Sequence, residues 1–96
     1  MENQHRKIVG YRELTQEDID LMNQIKAAGR ELLQLQETVV KRNNDYADTL
    51  YFTPGSIPEL DRLEAAEPAR WAAIARTDIQ TGVMALVRAV AQPTDC

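Results

Sequence analysis

The chain has 96 residues, with 15 Asp and Glu against 11 Lys and Arg, and a net charge of −4 at pH 7. So short a chain buries only a limited share of its surface alone, so long helices in it need partner helices, and an oligomer is expected. The negative balance argues against non-specific DNA or RNA binding, which depends on broad phosphate neutralisation; a small anion needs only a few well-placed cations.

Residues 1–14 read as an arm with three bases against two acids, and MENQHRK is not followed by a hydrophobic region of signal-peptide type. In HRKIVGYREL, Tyr11 stands beside Gly10 with Arg6, Lys7 and Arg12 around it. An aromatic ring on such an arm can stack on a nucleobase, worth roughly 1–3 kcal/mol, while neighbouring cations meet phosphate. The alternative is a hydrophobic staple in which Tyr11 packs against the following helix start.

Thr15 reads as an N-cap with Asp18 three residues on, and Glu17, Asp18 and Asp20 suit the positive end of a helix dipole. A helix is therefore expected over 16–43, with Ile19, Met22, Ile25, Leu32, Leu33, Val39 and Val40 at three- and four-residue steps and Lys41 and Arg42 near its end. Gly29 interrupts it at a cost of roughly 1 kcal/mol relative to Ala if exposed. Either a neighbouring helix or ligand approaches the backbone there, or the glycine is merely tolerated. Lys26 and Arg30, four apart, leave the same face and suit a phosphate pair, although such pairs are commonly just solvated.

Residues 45–67 read as a connector, since Asp45, Pro54, Gly55, Ser56 and Pro58 oppose a regular helix; a short, acidic helical piece over 58–65 is compatible with a Ser56 cap. Pro68 suits the first turn of a second long helix over 68–91, carried by Trp71, Ile74, Ile79, Val83, Leu86 and Val90. Trp71 is expected in the core; Asp78 and Gln80 need partners if an interface buries them, and a polar contact between helices or subunits is expected of Asp78. The fold class is all-α: one domain, an N-terminal arm followed by a long helical hairpin, oligomeric.

Metal and nucleophilic catalysis need clusters that one histidine and one cysteine, His5 and Cys96, at opposite ends cannot supply. No Gly-rich phosphate loop is present, and no apolar run approaches the ~20 residues that span a bilayer. A non-enzymatic cytoplasmic protein without cofactor or metal is expected.

Two stretches, HRKIVGYRELTQEDIDLMNQIKAAGRELL and RWAAIARTDIQTGVMALVRAVAQP, covering residues 5–33 and 70–93, resemble the phage-encoded anti-CBASS cyclic-oligonucleotide sponges. The resemblance implies a hexamer of helical hairpins that sequesters cyclic di- and trinucleotides without cleaving them, so blocking CBASS signalling in the infected bacterial host. It places Tyr11 on a base and Lys26 on the phosphates of a cyclic dinucleotide, and Gly10 and Arg30 at a cyclic trinucleotide. It also implies an arginine from the second helix of a neighbouring subunit, for which Arg70 is preferred over Arg76. The middle, residues 43–67, adds nothing to the likeness. The competing reading is a helical protein-interaction module with no nucleotide ligand.

Overall fold

The computed structural model describes residues 12–94, which form three helices: α1, Gln16–Tyr51; α2, Ile57–Ala66; and α3, Pro68–Ala91. No strand occurs among these residues, and the fold is an all-α helical hairpin.

The start of α1 is fixed by a reciprocal capping box. Thr15 Oγ1 accepts the Asp18 backbone N–H at 3.1 Å, while Asp18 Oδ2 accepts the Thr15 N–H at 3.0 Å. Two donors that a helix N-terminus leaves unpaired are thereby satisfied.

The far end of α1 corrects the expected boundary, because the helix does not stop at 43 but runs to Tyr51. Lys41 Nζ pairs with Asp45 one turn on at 2.7 Å, and Ala47 and Leu50 extend the inward-facing stripe, so packing overrides the poor helix propensity of Asn43, Asn44 and Asp45. Termination comes instead at Pro54 and Gly55, the latter at φ 78°, and the Ser56 hydroxyl donates to the Leu50 carbonyl. Ser56 thus closes α1 rather than capping α2 with its side chain. The expected connector over 45–67 is consequently the last turns of α1, a tight turn, and a 10-residue α2. Glu67, at φ 50°, ends α2, and Pro68 opens α3 where its missing N–H is not needed.

Contacts divide the chain into two compact units, one containing the described residues up to Arg30 with those from Gln80 onward, the other Glu31–Ile79. In the first, Ile19, Met22, Ile25 and Gly29 of α1 and Val83, Val87, Val90 and Ala91 of α3 turn away from solvent. Gly29 is buried, and a Cβ added there would lie 2.5 Å from Val83 Cγ2. The glycine therefore marks a close approach of the α3 side chain to the α1 backbone, and it is not a tolerated surface residue.

In the second unit, Leu33, Gln36, Val40, Asn43, Ala47 and Leu50 make the shielded stripe of α1, and Ala72, Ala75 and Ile79 are the shielded residues of α3. Gln36 Nε2 donates to the Ala72 carbonyl at 3.0 Å, a polar contact inside an otherwise apolar seam that fixes its register. The α2 helix is fastened to α1 through Glu59, which accepts the Tyr46 hydroxyl and two Arg62 N–H groups at 2.6 and 2.8 Å.

Little large apolar surface is removed from water. Among the described hydrophobic residues only Leu50, Ala72 and Ala91 fall to 9% exposure or less, whereas Leu32, Leu35, Val39 and Tyr46 stay 42–59% exposed. Those four recur on α1 at steps of three, four and seven, which makes a second apolar stripe beside the packed one. Trp71 corrects the expectation of a core residue: it is 59% exposed, with the Arg70 guanidinium 5.1 Å from its ring centre.

The Arg62 hydrogen bond, then that of Tyr46, holds the Glu59 carboxyl down at about 2 from its ordinary 4.5. A carboxyl depressed by folding stabilises the fold above its ordinary value, and that contribution disappears as pH falls through the folded value. Between pH 4.5 and 2, hydrogen exchange of the α2 amides should accelerate beyond its intrinsic pH dependence. Glu59→Gln should already show the looser α2 at neutral pH; equal protection in both proteins would refute the fastening.

Candidate functional site

The α1 helix presents Lys26 and Arg30 on one face, both exposed. Elsewhere among the described bases, Arg12, Lys41, Arg62, Arg70 and Arg76 each lie within 4 Å of a carboxylate, and Arg42 donates to Asn43 Oδ1 at 3.3 Å. Lys26 and Arg30 have no such partner among the described residues. Acids outnumber bases in this chain, so two adjacent cations without a carboxylate are not explained by a shortage of partners. One turn apart, they form a local positive spot suited to phosphate oxygens.

Gly10 and Tyr11, the two arm residues expected at the ligand, lie outside the described residues, as do Arg6 and Lys7. Arg12, the base that follows Tyr11, is described. Its guanidinium makes a 2.9 Å ion pair with Asp18 and donates to the Val90 carbonyl at 2.7 Å. The Arg12 hydrogen bond, followed by the Thr15 N–H, holds the Asp18 carboxyl at about 2. Nothing in the sequence marks this role, because the decisive partner is 78 positions away.

Arg70 lies in the other compact unit, in the first turn of α3, 3.9 Å from Glu67 and stacked over Trp71. Arg76 reaches across that unit to Glu37 at 3.7 Å. The side chains of Asp78 and Gln80 are exposed and make no hydrogen bond or ion pair with another described residue, so within one chain Asp78 does not supply the polar contact between helices expected of it. The open grooves of this unit, along Gln34, Glu37, Thr38, Lys41, Arg42 and Asp45 and beside Asp61, Glu64 and Glu67, contain none of the expected ligand residues. Among the described residues no cluster of three or more His, Cys, Asp or Glu could hold a metal ion, and no helix is long and apolar enough to cross a membrane.

A family model described as "Acb2/Tad1, hairpin domain" matches residues 4–91 of the chain. The Anti-CBASS protein 2 of Pseudomonas phage JBD67 is 59% identical over 108 residues, an alignment that covers all of both chains.

Proposed function

The chain belongs to the Acb2/Tad1 hairpin-domain family, and from that premise we propose that it blocks CBASS signalling by sequestering cyclic di- and trinucleotides without cleaving them, in the cytoplasm of the infected bacterium. The observation that carries this reading is the pair of cations, Lys26 and Arg30, without a carboxylate partner among the described residues of a chain of net charge −4. A cyclic oligonucleotide concentrates two or three negative charges in a small ring, so a few cations and one stacking surface are enough to hold it.

In this reading the Tyr11 ring stacks on a base and Lys26 meets the phosphates of a cyclic dinucleotide. Gly10 and Arg30 hold a cyclic trinucleotide at a separate place. Arg70, from a neighbouring subunit, meets phosphate, with Arg76 as the other candidate for that role. The exposed second stripe of α1, including Leu32, Leu35 and Val39, supports association with further copies, and the assembly we propose is a hexamer. Tight, reversible binding needs no general base, nucleophile or metal, so the protein acts by stoichiometry and not by turnover.

The test is recovery. Protein mixed with cyclic GMP-AMP or a cyclic trinucleotide, then heat-denatured, should return intact ligand to the supernatant. Linearised product would overturn sequestration in favour of hydrolysis. Calorimetry without any binding heat for either ligand class, with no free ligand depleted on filtration, would instead leave a helical protein-interaction module.

A further inference from the structure

Arg12 stands where the expected arm meets the folded body, and its side chain bridges two helix ends. Its Nη1 lies 2.9 Å from Asp18 Oδ2 and 3.4 Å from the Glu13 carbonyl, and its Nη2 donates to the Val90 carbonyl at 2.7 Å. The Nε is buried without a partner. Val90 belongs to the last turn of α3, where carbonyls lack helical partners and the dipole favours a cation. Asp18 lies in the first turn of α1, and its same oxygen accepts the Thr15 N–H. One guanidinium therefore ties the start of α1 to the end of α3, and its charge is already matched by a carboxylate.

We infer that Arg12 is a positioning residue for ligand binding: it anchors the chain one peptide bond from Tyr11, so that the ring is presented to the base from a fixed point. This rests on the reading of Tyr11 as the stacking residue. Adjacent Cα atoms are about 3.8 Å apart across a trans peptide, so an anchor at residue 12 sharply limits where the ring can start from. Loss of the anchor returns freedom to residue 12, and binding must then remove it. On the scale of one immobilised side chain, that lowers affinity roughly three- to tenfold. A direct phosphate contact by Arg12 is the rival account, and the Asp18 pairing makes the two separable.

Asp18→Asn frees the guanidinium while keeping its charge, and it leaves an acceptor for the Thr15 N–H. Calorimetry with cyclic GMP-AMP should show Asp18→Asn and Arg12→Lys each weakening binding by roughly three- to tenfold, and both losses should vanish in a Tyr11→Ala background. A cation acting on phosphate predicts the opposite for Asp18→Asn, unchanged or tighter binding, and that result overturns the inference. Equal losses with and without Tyr11 also overturn it, since a general loosening of the fold does not depend on the ring. If Tyr11→Ala itself keeps full affinity, the reading beneath the inference fails, and the inference fails with it. If Tyr11→Ala weakens binding while Asp18→Asn and Arg12→Lys do not, only the positioning role is lost.

Discussion

Lys26→Ala is expected to weaken binding of cyclic GMP-AMP by roughly 1–3 kcal/mol, about five- to 150-fold, the scale of a lost charged hydrogen bond, without changing the melting temperature. The separation of affinity from stability follows from the surroundings of the side chain. Lys26 is exposed and has no ion-pair partner among the described residues, so the fold loses nothing when it is truncated. Tyr11→Ala should weaken binding by a similar amount through the lost base stack. Arg30→Ala serves as the internal comparison, since it should weaken a cyclic trinucleotide more than a dinucleotide. Full affinity in both Lys26→Ala and Tyr11→Ala, measured by calorimetry at matched salt, would remove the proposed dinucleotide pocket.

The second large effect concerns Gly29. Alanine is favoured over glycine inside a helix by roughly 1 kcal/mol, yet the added methyl meets Val83 Cγ2 at 2.5 Å, and overpacking of this kind costs roughly 1–3 kcal/mol. Gly29→Ala is therefore expected to be near neutral or mildly destabilising. Gly29→Leu drives three more carbons into the same contact with no comparable gain in propensity, so a net loss of about 1–3 kcal/mol should appear. At this chain length each kcal/mol lowers the melting point by roughly 4–8 °C. Val83→Ala opens the contact, and in that background Gly29→Ala should turn stabilising. A Gly29→Leu protein that melts with the wild type would refute the close approach.

Local signals were readable where their cause is local. The Thr15 and Asp18 box is a four-residue arrangement, and Pro68 acts through its own ring and missing N–H, so the starts of α1 and α3 follow from sequence. The end of α1 was not readable in the same way. Asn43, Asn44 and Asp45 look like a stop, but Asn43 is carried on the shielded stripe, Asp45 pairs with Lys41, and Leu50 beyond them is buried. Propensities differ by tenths of a kcal/mol per residue, and one well-packed turn outweighs them.

The candidate site divides along the same line. Four-residue spacing alone placed Lys26 and Arg30 on one face of a helix. That these two have no carboxylate partner among the described residues depends on where each of those carboxylates lies, which is a property of the folded chain.

Sequence by itself determined the all-α class, the helix starts and the likeness to a family of sponges, because composition, caps and long matching strings carry that information within a few turns of chain. Only the tertiary structure decided that Gly29 is a crossing point, that Trp71 faces outward, and that Arg12 holds α1 to α3. An amphipathic period shows that a helix has apolar stripes without saying which one the chain keeps for itself. Contacts between residues as far apart as Arg12 and Val90 exist only once the helices have chosen their faces.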